Sequence, residues 1–179
     1  FEIKREIQSN SNAKILIISP DFSNSFLSKR FPNCGILSHD ANLSRKIFDQ
    51  HQIIFSSVSQ AEILTRIWKT SPSQAISLFI CQDIHSLGSA KGPLYEVLLT
   101  RLKLLITETY PQSRIILSSF PIADYKDICE WMNISLSFNF PLTTLRGHFE
   151  IIPYVLSGSP SNQMISLSKT AFAKIKFTQ

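Results

Sequence analysis

Apolar residues along this chain fall into two kinds of pattern. "AKILIISP", "QIIFSSV", "ISLFICQ" and "SRIILSS" are short runs dense in β-branched residues, which predicts strands buried on both faces. Between them the apolar positions recur at helical spacing. Phe1, Ile3 and Ile7 fit the tail of a helix, and Phe22 to Arg30 is a more polar helix candidate, followed by a turn around Pro32 to Gly35. "SQAEILTRIWK" predicts a helix with Ser59 as N-cap and Glu62 three residues on, the spacing of a capping box. "GPLYEVLLTRLKLLITETY" predicts a long helix with Pro93 in its first turn and an apolar stripe through Leu94, Val97, Leu98, Leu102, Leu105 and Ile106. "DYKDICEWM" reads as a short helix, "ISLSFNF" and "HFEIIPYVL" as further strands, and "SGSPSN" (Ser157 to Asn162) as an exposed turn.

Strands alternating with helices over short connections predict a doubly wound α/β domain with a parallel sheet, spanning residues 1–179 as one unit. At 179 residues and 44% hydrophobic content the chain can bury one sizeable core. Its apolar runs are too short to cross a bilayer and none resembles a signal peptide, so a soluble intracellular chain without a membrane partner is expected. The formal charge of +5 comes from scattered Lys and Arg, which by itself reads as solvated surface. Cys34, Cys81 and Cys129 lack metal-ligand spacing and read as small hydrophobes in a loop, a strand and a helix. His39, His51 and His148 read as surface residues, and Trp68 and Trp131 as core anchors. The abrupt ends, Phe1 and "AFAKIKFTQ", predict a segment of a longer chain.

The chemistry concentrates in "LFICQDIHSLGSAKGPLYEV". Asp83 and His85 stand where a strand releases the chain, the end of an open α/β sheet at which ligands bind. An isolated Asp-x-His would be an ordinary loop bonding to its own backbone. The longer pattern, a buried strand, an acidic position, a histidine, a glycine and then Gly92-Pro93 opening a helix, resembles motif II of the Ski-like DExH-box RNA helicases of superfamily two. Other segments resemble that family in the same order. "AKILIISP" is similar to the strand of motif Ia, "IIFSSVSQAEILTRIW" to motif Ib, "RIILSS" with "KDICEWM" to motif III and its following helix, and "SFNFP" to a Phe-Asn-Phe segment of tandem-cassette members. Among these the second, C-terminal cassette of the spliceosomal members is most similar, with the signal-cointegrator-complex members as the alternative.

The departures from the family pattern fall on its chemistry. Gln82 takes the place of the aspartate that orients magnesium, and a neutral amide lacks the charge that metal asks of it. Asp83 takes the place of the glutamate base, one methylene shorter, a displacement of about an ångström that can cost on the order of a hundredfold in rate. Motif III reads Ser118-Ser119-Phe120, or with a one-residue gap Ser119-Phe120-Pro121, and Phe120 cannot relay hydrogen bonds. The resemblance assigns Pro20, His39, Ser56 and Ser57 to the RNA-facing side. There Val58 replaces the motif Ib proline and His39 a glycine that would admit the RNA backbone. No Gly-x-x-x-x-Gly-Lys-Ser/Thr loop is present; by the resemblance it would lie upstream of Phe1.

The resemblance therefore implies a RecA-like first lobe of a helicase cassette in which the motif II and III residues are vestigial, and no metal site is expected. ATP and magnesium are the family's cofactors, and this chain's substitutions argue against their binding here. The implied role is a nuclear interaction and regulatory scaffold within a pre-mRNA splicing helicase. Its partners would be the active cassette of the same polypeptide and splicing proteins, with weak RNA binding. A working ATP-dependent helicase lobe and an RNA-binding module without turnover are the alternatives.

Overall fold

The computed structural model describes residues 1–20, 31, 33–67, 76–140 and 159–174. The helix candidate at Phe22 to Arg30, the strand "HFEIIPYVL", Trp68 and His148 lie outside the described residues. The chain divides into two compact units, Phe1–Leu142 and Thr143–Gln179.

In the first unit, β1 (Ile15–Ser19) is buried at every residue, as its unbroken apolar run requires. Helix α1 (Glu2–Ser9) precedes it. Then come β2 (Gly35–Ile36), α2 (Ala41–Gln50), β3 (Ile53–Ser57), α3 (Val58–Ile67), β4 (Leu78–Cys81), α4 (Gly92–Glu108), β5 (Arg114–Leu117) and α5 (Tyr125–Trp131). The five strands pair in parallel in the order β2-β3-β1-β4-β5, so every carboxyl end points to one edge. The predicted doubly wound sheet is present. Alternate residues of β1 serve opposite layers: Ile15 and Ile17 pack with Ile3, Ile53, Phe55 and Leu78, whereas Leu16 and Ile18 join Ile54, Phe79, Ala61, Leu64, Leu98 and Leu102.

Several expected details differ. Helix α2 and the two-residue β2 are additional to the predicted elements. The α2 sequence "ANLSRKIFDQ" is largely polar and buries only Ser44 and Phe48, so its apolar signal is thin. The helix is fixed at both ends instead. Asp40 Oδ1 accepts from the Asn42 and Leu43 amides at 2.8 and 3.1 Å. At the other end the buried Lys14 ammonium donates to the Phe48, Asp49 and His51 carbonyls, placing a cation on the negative pole of the helix.

The capping box of α3 lies two residues earlier than expected. Gln60 N donates to Ser57 Oγ at 3.3 Å and Ser57 N donates to Gln60 Oε1 at 3.0 Å, because Ser57 closes the strand and Val58 is already the first helical residue. On α4 the predicted stripe is buried at Leu98, Leu102 and Leu105 and Ile106 packs against it, while Leu94 and Val97 are exposed and Tyr95 and Leu99 take their places on the buried face. Residues 134–140 form no strand, and Leu136, Phe138 and Phe140 stand 72–79% exposed, because no described strand pairs with them to turn the alternation into a ladder. His51 is half-buried rather than a surface residue, with Nδ1 3.2 Å from the Asn33 carbonyl. Trp131 packs against the core as expected.

In the second unit, α6 (Pro160–Lys174) replaces part of the expected turn at Ser157 to Asn162. Pro160 is its first residue, the position where a missing N–H and a fixed φ favour a helix start.

Glu62, freed from capping, is buried and ties α3 to α4. Its Oε1 accepts from Arg66 Nε at 2.7 Å and from Arg101 Nη1 at 2.9 Å, and Arg101 also reaches Thr65 Oγ1 at 3.1 Å. Burial alone would raise the Glu62 carboxyl, but the hydrogen bonds and charges of Arg66 and Arg101 outweigh it and hold the pKa below the ordinary 4.5. A depressed folded-state pKa gives stability that is full above the unfolded value and lost as pH falls through the folded one. Glu62→Gln is expected to destabilise the chain at pH 7 by about 1–2 kcal/mol, the loss of charge-assisted hydrogen bonds to two arginines that keep access to solvent. Urea unfolding at a series of pH values should show the gap between parent and variant narrowing below pH 4.5.

Candidate functional site

The carboxyl edge of the sheet gathers the predicted site residues into two banks on either side of β1. On the β4 side, the Gln82 amide donates to the Ile18 carbonyl at 2.8 Å, the last bond of the β1–β4 ladder. Asp83 then turns the chain out of the sheet through a left-handed conformation, φ 58° and ψ 46°, which aspartate tolerates better than most side chains. A short 3-10 turn, Ile84–Gly88, follows.

The strand end of β5 grips this turn at three points. Ser118 N donates to the Cys81 carbonyl at 2.9 Å and Ile84 N to the Ser118 carbonyl at 3.1 Å. His85 N donates to Ser119 Oγ at 3.0 Å, and the His85 ring meets the Phe120 ring edge-on at 5.0 Å between centroids. Gln82, Asp83, His85, Ser118, Ser119 and Phe120 are thus one structural cluster, closed on its outer side by the aromatic contact of Phe120. Beneath it, burial pushes the Cys81 thiol up to about 12, so that side chain is a neutral packing group.

Two members of the cluster were not singled out by the sequence. Ser19, the last residue of β1, places Oγ 3.5 Å from Asp83 Oδ2, the outer limit of a hydrogen bond. Tyr95 is buried on α4 and donates its hydroxyl to the Gln82 carbonyl at 2.7 Å. Burial, then the nearby Cys81 and Asp83, push its phenol above the ordinary value, so it stays a donor. A serine closing an apolar strand, and a tyrosine on the same helical face as Leu98, Leu99 and Leu102, were the available signals.

On the β3 side, Ser56 is buried and its hydroxyl donates to the Ser57 carbonyl at 2.8 Å. Ser57 is committed to capping α3. Pro20 follows β1 half-buried, and His39 is exposed just before the α2 N-cap. The register places Ser56 and Ser57 across from Ile18 and Ser19, so this bank shares the edge with the Asp83 cluster, while His39 lies beyond β2 at the far side.

No family model matches the chain. It is 33% identical over 108 residues to the DExH-box ATP-dependent RNA helicase DExH12 of Arabidopsis thaliana, covering 59% of this chain. It is 26% identical over 153 residues to the U5 small nuclear ribonucleoprotein 200 kDa helicase of Mus musculus, covering 78%. The activating signal cointegrator 1 complex subunit 3-like protein of Dictyostelium discoideum is 30% identical over 141 residues, covering 72%. The homologues of this chain are DExH-box RNA helicases. The chain spans 5–7% of the length of these relatives, and its five-stranded parallel sheet flanked by helices is consistent with a RecA-like helicase lobe.

In this DExH-box homologue Gly92 has a steric task. A Cβ there would overlap the Leu87 carbonyl oxygen, so glycine is what lets α4 start directly under the 3-10 turn. Gly92→Ala is expected to destabilise the fold by about 2–3 kcal/mol, the range for overpacking a close contact, whereas Gly88→Ala, with open space around the added carbon, stays near neutral. Chemical denaturation of the two variants side by side checks this.

Proposed function

We propose that this chain is the first RecA-like lobe of a degenerate cassette in a DExH-box splicing helicase, working as a nuclear interaction and regulatory scaffold rather than as an ATP-hydrolysing lobe. The observation that carries the reading is the donor set at the carboxyl end of β4. Gln82 offers a neutral amide, and the single carboxylate of the pair, Asp83, sits in a left-handed turn beside Ser19. Magnesium held with nucleotide phosphates draws its protein ligands from carboxylates; the position that the resemblance assigns to the metal carries the amide, and the one carboxylate stands in the place of the base. Phe120, 71% exposed and stacked edge-on against His85, provides no hydroxyl to couple a nucleotide to RNA. The RNA-facing hydroxyls of Ser56 and Ser57 are already engaged with the chain itself. The well-packed sheet beneath supports a domain kept for its surface. The active cassette of the same polypeptide and splicing proteins are the proposed partners.

The test is RNA-stimulated ATP hydrolysis by the longer polypeptide that contains this lobe with its second lobe. Turnover at background is expected, and Gln82→Asp alone leaves it there, because catalytic groups that act as a unit do not recover singly. Turnover above background that disappears in Asp83→Ala would refute the reading.

The excess of positive charge favours one further reading, an RNA-binding module without turnover. RNA titrations at rising salt separate the two. The scaffold reading predicts weak binding, while tight binding that falls steeply and linearly in log salt, the mark of several phosphate contacts, selects the RNA-binding module.

A further inference from the structure

We propose that Tyr95 is a positioning residue that clamps the Gln82–Asp83 peptide and so holds Asp83 in its left-handed conformation beside Ser19. The proposal deepens the reading of this edge as a site fixed in a non-hydrolytic form, and it rests on that reading for its meaning but not for its geometry. The Gln82 amide makes the last bond of the β1–β4 ladder, and beyond it the peptide leaves the sheet. Its carbonyl accepts from the Tyr95 hydroxyl at 2.7 Å. Donor and acceptor are thus fixed on both sides of one residue, which sets the plane of the peptide leading into Asp83.

Helix α4 is a firm anchor for such a clamp. Its start is set by the close approach of Gly92 to the Leu87 carbonyl, its middle by the burial of Leu98 and Leu99, and its outer side by Arg101 on Glu62. A left-handed residue other than glycine is held against a conformational cost only where its surroundings over-determine it. Here the surroundings are the Tyr95 clamp on the residue before Asp83 and the Ile84 amide bonded to Ser118 on the residue after it. The competing view is that Tyr95 is an ordinary core side chain whose hydroxyl merely finds a nearby acceptor.

The experiment is nuclear magnetic resonance on the full chain, comparing the parent with Tyr95→Phe, which keeps the ring and removes only the donor. Amide exchange at Asp83, Ile84 and His85 is expected to rise about tenfold, the equivalent of one hydrogen bond, with the Asp83 HN–Hα coupling leaving its left-handed value. Amides of Ile17, Ile54 and Phe79 in the sheet stay as protected as in the parent. Unchanged exchange and coupling at Asp83 in a folded variant would overturn the proposal. If the variant does not fold, Tyr95→Met, which refills the core without a donor, takes its place with the same readout, and unchanged exchange and coupling at Asp83 in it overturn the clamp. No readout involves nucleotide, so failure of the clamp and failure of the non-hydrolytic reading are seen separately.

Discussion

The Ile18 peptide at the heart of β1 is the fixed point from which the carboxyl edge is measured. Ile18 stands opposite Ser56 in β3 and Cys81 in β4, and its carbonyl takes the Gln82 amide. Both banks of the edge are therefore referenced to one buried residue. A slip of one position at β1 would move Ile15 and Ile17 into the layer of Leu16 and Ile18, which close packing forbids. The placement of Asp83 relative to Ser56 and Ser57 is a by-product of how the interior packs.

The two faces of the sheet are held by different means. On one face, α3 and α4 bring Ala61, Leu64, Leu98 and Leu102 onto the sheet, and the buried Glu62 with Arg66 and Arg101 sets how these two helices lie against each other. On the other, α1 contributes Ile3, and Arg114 at the start of β5 pairs with Glu2 at 3.3 Å and Glu6 at 2.5 Å. The second cluster is partly exposed and worth little by itself. The core beneath the candidate site is thus the more strongly determined half, and a change confined to the edge, such as an amide for a carboxylate at position 82, leaves it intact.

Sequence alone was sufficient for four of the five strands, since "ILIIS", "IIFSS", "LFIC" and "RIIL" are short, bounded by turn residues and dense in β-branched residues. It was insufficient where tertiary partners decide. Helix α2 was invisible because its ends are fixed by Asp40 and Lys14, and Lys14 lies far away along the chain. "ISLSFNF" alternates like a strand, but alternation expresses a tendency that only a neighbour can realise. Asp83 and His85 were legible as a pair, whereas their supports were not: the bond from Tyr95 to the Gln82 carbonyl needs Tyr95 on the buried face of α4, and the predicted stripe left it out.

β5 ends the sheet on one side with Ile115, Ile116 and Leu117 all half-buried, and β2 ends it on the other with two residues. The short edge is protected by its brevity; β5 carries one charge, Arg114 at its start, and is apolar from Ile115 to Leu117. The exposed Leu136, Phe138 and Phe140 line the same groove as β5. Among the described residues no strand pairs with the outer side of β5, and an edge of that kind beside the exposed Leu136, Phe138 and Phe140 has the chemistry of a template for strand addition between molecules.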